Sequence, residues 1–96
     1  MPVYISASIR IEDPDEYGKY QAGFMPIFER FQGEVIAVSD EPRVVEGDWP
    51  FTRAVLLRFP DEDAARAWYE SPEYQAIAVH RKRASTGSII SYQGFV

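Results

Sequence analysis

Apolar residues occupy every odd position from Val3 to Ile11, while Tyr4, Ser6, Ser8 and Arg10 fill the even ones. Side chains that alternate with a period of two line opposite faces of a strand, so this run predicts the first strand, half-covered by a core. Asp13-Pro14-Asp15-Glu16 then combines an N-cap, a proline at the first helical position and a capping-box carboxylate, which predicts a helix start. The apolar face that follows (Tyr17, Tyr20, Phe24, Ile27, Phe28, Phe31) has helical spacing, and an aromatic stripe of this kind is normally core. Gly23 and Pro26 interrupt it, and proline has no N–H for the helix ladder, so a kink or two short helices are expected. Gly33 is expected to close the last turn in the left-handed conformation.

Glu34 to Val38 predicts a second strand, with a bulge or bend at Ser39-Asp40-Glu41-Pro42 and a resumption over Arg43 to Glu46, because proline cannot donate to a sheet ladder. Gly47-Asp48-Trp49-Pro50 is turn chemistry, and Phe51 to Phe59 predicts a third strand. In that strand Ala54-Val55-Leu56-Leu57 is apolar on both faces. A sheet covered by helices on one side only should alternate, so a second cover is implied, and a partner subunit is its natural source. Leu56 is therefore a candidate for a dimer interface. Trp49 is another, since a large ring in a turn needs a neighbour to cover it.

Pro60-Asp61-Glu62-Asp63 starts a further helix, and Ser71-Pro72-Glu73 repeats the cap-proline-acid signature, so a new helix is expected from Pro72 to Arg83. Thr86 to Val96 predicts the last strand. The order is β-α-β-β-α-β, which in an α+β chain is the ferredoxin-like arrangement, an antiparallel sheet with both helical layers on one face.

Composition narrows the chemistry. At 96 residues the chain matches a single domain that buries about two-thirds of its unfolded surface. Its hydrophobic content of 46% includes 15% aromatics, yet no stretch approaches the roughly 20 apolar residues a membrane helix needs. No secretory signal is apparent at Met1-Pro2-Val3-Tyr4, so a cytoplasmic location is expected. With no cysteine and one histidine, thiolate chemistry is excluded and a bound metal is not expected. Ten cations against fifteen anions give a net charge of -5, which opposes the phosphate attraction behind nucleic-acid binding.

Asp13-Pro14 with Tyr17 and Tyr20, the Gly33 closure, Glu46-Gly47-Asp48-Trp49, and Ala64-Ala65-Arg66-Ala67-Trp68-Tyr69-Glu70-Ser71-Pro72-Glu73-Tyr74-Gln75-Ala76 followed by Arg81 together resemble the domain-of-unknown-function 1330 family, of the dimeric α/β-barrel superfamily. The resemblance spans nearly the whole chain, and Trp-Tyr-x-Ser-Pro-Glu-Tyr is its specific part. It implies the fold and a homodimer; the family has no settled activity. The larger superfamily includes cofactor-free monooxygenases, small-molecule isomerases and haem enzymes, usually with a site between sheet and helices. His80 departs from the family pattern, which has an apolar residue before the arginine, so a family pocket would be altered there.

Few residues qualify as site candidates. His80 titrates near neutrality and is the natural general acid or base; it also precedes Arg81-Lys82-Arg83 in a last helical turn, where cations offset the helix dipole, and that structural role is the commoner one. Tyr74, Ile77, Ala78 and Arg81 share one helix face at i, i+3, i+4 and i+7, which puts the guanidinium partly inside. There Arg81 either pairs with a carboxylate such as Glu46 or Asp48, or awaits the carboxylate or phosphate of a ligand. Arg53 on the third strand faces the same choice. Trp68 is assigned to the core with its N–H seeking a partner, and Tyr69, about 100° away on the helix, to a pocket or the dimer rim. The acids from Glu12 to Glu16 and at Asp61-Glu62-Asp63 sit at helix starts, which accounts for them. Two functions fit: a small organic ligand held between helices and sheet by Arg81, Arg53, Tyr69, Tyr74 or His80, with no cofactor, or a non-catalytic dimeric binding module.

Overall fold

The alternation of Val3–Ile11 forms β1, whose Val3, Ile5, Ala7 and Ile9 are buried while Tyr4, Ser6 and Ser8 are only half so. In this computed structural model, which describes residues 1–95, β1 is one of the two inner strands of a four-stranded antiparallel sheet. The remaining elements are α1 (Pro14–Phe28), β2 (Glu34–Ser39), β3 (Arg53–Phe59), α2 (Glu62–Tyr69), α3 (Pro72–Ala84) and β4 (Ser85–Gln93), and the sheet order is β2-β3-β1-β4. This is the expected β-α-β-β-α-β order with its helical second unit divided in two. The Cα trace measures 32 × 31 × 15 Å, the slab shape of one helical layer on one sheet, which leaves the sheet's other face bare.

The helix starts follow the cap signatures. Asp13 Oδ1 accepts from the Glu16 N–H at 3.2 Å and Ser71 Oγ from the Tyr74 N–H at 3.2 Å, each satisfying a donor that the first helical turn leaves free. The capping box is incomplete at α1. The Asp13 N–H donates to the Ala84 carbonyl at 3.0 Å, so the Glu16 carboxylate is released to other partners.

Several local expectations are corrected. α1 is one continuous helix rather than two: Pro26 removes a single hydrogen bond close to the helix end. Gly23 serves the packing of α1 on α3, where an added Cβ would come 2.9 Å from Ile77 Cγ2. Gly33 does not take a positive φ. Glycine is needed there because a Cβ would stand 2.5 Å from Phe28 Cζ and 2.7 Å from Phe59 Cε1, inside the aromatic core. The chain bends at Asp40-Glu41 as expected, but Arg43 to Glu46 forms no strand; a further irregularity lies within β2, where the two-residue step from Val35 to Ala37 spans one step of β3. β3 itself begins at Arg53, and β4 runs from Ser85 to Gln93 instead of to the chain end. Val96 lies outside the described residues.

Phe28, Phe59, Trp68 and Tyr74 are the largest fully buried side chains. Trp68 touches each of the other three rings, with centroids at 5.6 Å, 5.5 Å and 4.3 Å, so the short α2 is locked to sheet, α1 and α3 through one indole. On the bare face, Leu56 on β3 and Ile90 on β4 flank Ser6 of β1, and Tyr92 lies opposite Tyr4. Ile90 is 58% and Tyr92 49% exposed. The apolar character of both β3 faces is therefore real, and the helices account for only one of them.

Candidate functional site

Between sheet and helices lies a cavity of about 350 Å³. The sheet contributes Ile5, Val38, Val55 and Leu57, and the helices contribute Tyr17, Tyr20, Phe24, Trp68, Tyr74 and Arg81. The residues that make the core apolar thus also make the cavity wall, because the slab is not filled at this end. Polar groups are few: Gln21, Asp40, Arg53 and Arg81 join the tyrosine hydroxyls.

The two arginines stand in different states. Arg53 reaches from β3 to Asp40 just beyond β2, with Nε 2.6 Å from Oδ1 and Nη2 3.2 Å from Oδ2, while Nη1 donates to Gln21 Oε1 at 2.9 Å. The two-pronged geometry matches guanidinium to carboxylate. Arg53 is thereby satisfied by the protein. Its hydrogen bond holds the Asp40 carboxyl below the usual carboxylate range, and its guanidinium also lies 5.3 Å from the centre of the Tyr17 ring.

Arg81 has no carboxylate partner among the described residues. Its guanidinium lies 5.7 Å from the centre of the Tyr20 ring, and its Nε is buried without an acceptor. Burial opposes that charge, but the neighbouring Tyr74 and Tyr20 hydroxyls outweigh it and raise the Arg81 pKa, so the side chain stays charged with no anion beside it. Neither Glu46 nor Asp48 comes to it. The Tyr20 and Tyr74 hydroxyls, on α1 and α3, bond each other at 2.9 Å. Burial pushes the Tyr20 phenol well above its ordinary pKa, with Tyr74 acting in the same direction, so it stays protonated. The Trp68 indole N–H, expected to find a partner, is a second buried donor without an acceptor.

Other sequence candidates lie elsewhere. His80 Nδ1 is 2.6 Å from Glu16 Oε2, a bond between α3 and α1 outside the cavity lining. That bond is the largest cause of a lowered Glu16 pKa. Tyr69 packs on Trp68 and Tyr74 and lines a shallower depression between α2 and β4. Trp49 stands edge-on to Phe51, centroids 5.3 Å apart, in the segment between β2 and β3. The structure therefore brings together Arg53, Tyr74 and Arg81 in the cavity lining, has Tyr69 touching Tyr74 from outside it, and leaves His80, Trp49 and Leu56 out of the lining. Tyr17, Tyr20, Asp40 and Gln21 join the site without having been singled out for it. The signal for the two tyrosines was their chemistry: a core stripe that needs only bulk is served by phenylalanine, and a hydroxyl marks a polar requirement. Among the described residues, no group of three or more His, Asp or Glu side chains is placed to hold a metal ion, and no helix is long and apolar enough to cross a membrane.

The acid sensitivity of the Arg53 pair can be measured. A carboxyl whose pKa is lowered by folding contributes stability above its unfolded value, near pH 4, and loses it as pH falls through the folded value. Asp40→Asn should therefore lower the melting temperature slightly at about pH 6, and the difference from wild type should close as pH falls through the folded value of Asp40. A difference independent of pH would mean that the Asp40 charge is not what stabilises the pair.

The chain matches the family described as Domain of unknown function (DUF1330) over residues 2–95. No curated protein matches it. Among solved structures, a protein of unknown function from Rhodopseudomonas palustris superposes with a TM-score of 0.82 at 17% identity, over 99% of this chain and 83% of that one. SnoaB, a cofactor-independent oxygenase from Streptomyces nogalater, gives 0.68 at 17% identity over 97% and 92% of the two chains. A dimeric ferredoxin-like protein of unknown function from Thermobifida fusca gives 0.72 at 16% over 98% and 92%. At such identities the likeness establishes the ferredoxin-like fold.

Proposed function

The chain belongs to the DUF1330 family, and on that premise we propose that it is a homodimeric protein that binds a small organic molecule in the cleft between helices and sheet. One observation carries the reading: the cleft is open, its walls are apolar, and its innermost cation, Arg81, lacks the carboxylate that would make it structural. Ligand sites combine this apolar lining with a few convergent polar groups. A non-catalytic accessory module would instead be supported by a filled cavity and a paired Arg81. The enzymatic form of the proposal is cofactor-free chemistry on the bound molecule. For it the Tyr20–Tyr74 hydroxyl pair beside Arg81 is better placed than His80, which is engaged with Glu16. The description of SnoaB as a cofactor-independent oxygenase fits this form. A thermal-shift screen of aromatic and carboxylate compounds is the direct test: a saturating rise in melting temperature is expected for at least one class. No stabilisation by any of them would count against a ligand site.

The dimer half of the proposal rests on the bare sheet face, which carries Leu56, Ile90 and the stacked Tyr4 and Tyr92 rings, 6.5 Å apart. The Thermobifida fusca neighbour is described as dimeric, in keeping with this. Wild-type protein should sediment at twice the 11.0 kDa chain mass. Ile90→Arg, at a position exposed in the isolated chain, should give a folded monomer. Sedimentation of the wild type as a monomer would refute the pairing.

A further inference from the structure

The cleft holds three charged side chains, and two of them cancel. Asp40 presents both carboxylate oxygens to Arg53, which leaves one uncompensated positive charge, on Arg81. Arg81 lines this cavity and has no carboxylate partner among the described residues. A guanidinium can only donate, so what completes it must be an acceptor. The Tyr20 ring against the guanidinium restricts its orientation, and aromatic rings from α1, α2 and α3 form the adjoining walls. At about 350 Å³ the space lies near the lower end of the roughly 300–1,000 Å³ typical of ligand pockets, a size suited to one or two fused rings.

Resting on the cleft-binding reading, we propose that the natural ligand is a monoanionic aromatic acid, its carboxylate seated on the Arg81 guanidinium and its ring system between the sheet and the tyrosines. One carboxylate neutralises the cavity. A dianionic phosphate would leave a net negative charge between apolar walls with no second free cation, and a neutral molecule would leave Arg81 without a counter-ion. The charge balance is thus the selectivity element, and the Asp40–Arg53 pair supports it by withdrawing the second arginine from ligand binding.

Calorimetric titration with three matched probes separates these possibilities: 2-naphthoate, uncharged 2-naphthamide and 2-naphthyl phosphate, each against wild type, Arg81→Met and Arg81→Lys, with circular dichroism to confirm folding. Wild type is expected to bind the carboxylate about 10- to 100-fold more tightly than the amide, and more tightly than the phosphate. Arg81→Met should lose the preference over the amide, and Arg81→Lys should keep part of it. If Arg81→Met does not fold, the wild-type ranking and Arg81→Lys decide. Equal affinity for carboxylate and amide, or tighter binding of the phosphate, would overturn the monoanion proposal while leaving the cleft intact as a binding site. Binding of none of the three would overturn both.

Discussion

Trp68→Ala is expected to cost about 3–5 kcal/mol of folding stability, in line with the removal of a large aromatic side chain from a core. The indole is 1% exposed and lies among Phe24, Phe28, Phe59, Tyr69 and Tyr74, which belong to α1, α2, α3 and β3. Those elements come from distant parts of the chain, so the void would open where they meet. Against a total of about 5–15 kcal/mol for a small domain, such a loss takes the protein to the edge of unfolding. Trp68→Phe separates packing from hydrogen bonding. Because the indole N–H has no acceptor in the protein, its removal forfeits no bond, and the variant should lose only the volume difference, about 1–2 kcal/mol. Chemical denaturation of the three proteins gives both numbers. A Trp68→Phe cost equal to that of alanine would contradict the assignment of this side chain's contribution to packing.

Gly87→Ala is the second severe change. Gly87 pairs with Ile9 across β1 and β4, and a Cβ there would collide with the Ser8 carbonyl oxygen and crowd Ile9 Cα at 3.0 Å. Backbone atoms in a ladder have no rotamer to escape into, unlike the end of a long side chain. The cost should therefore reach the upper part of the roughly 1–3 kcal/mol range for overpacked sites, with the damage confined to one strand pair. Amide hydrogen exchange should show β4 losing protection while the β1–β3 pairing and α1 keep theirs. Uniform loss of protection across the sheet would argue that β4 does not open separately.

Local rules carried the sequence a long way toward this fold. The odd positions of Val3 to Ile11, the Asp13 and Ser71 caps and the apolar faces of Ala54 to Leu57 each depend on neighbours a few residues apart, and each is found in the structure as expected. Gly33 shows where such rules stop. Its glycine is demanded by Phe28 and Phe59, the latter 26 positions farther along, and not by a turn. Pro26 reads as a helix breaker in the sequence because nothing local shows that the helix ends two residues later.

The cavity was least legible for the same reason. The spacing of Tyr74, Ile77, Ala78 and Arg81 correctly placed the arginine on the inward face, with Tyr74 and Ala78 fully buried. Nothing local revealed that Tyr74 meets Tyr20, separated by 54 positions, or that Asp40 would take Arg53 and leave Arg81 alone. Unpaired charge is a property of the assembled set, since a guanidinium that needs a partner looks the same in sequence as one that has it.

The central claim is that the space around Trp68 and Arg81 receives a small ligand, and the indole N–H signals report on it most directly. The chain has two tryptophans, so ¹⁵N-labelled protein gives two such signals, and their assignment follows from Trp49→Phe, which removes one. During titration with 2-naphthoate the Trp68 signal should shift and saturate while the Trp49 signal stays in place. A Trp68 signal that does not move at saturating ligand, or shifts confined to the bare sheet face around Ile90 and Tyr92, would contradict the account.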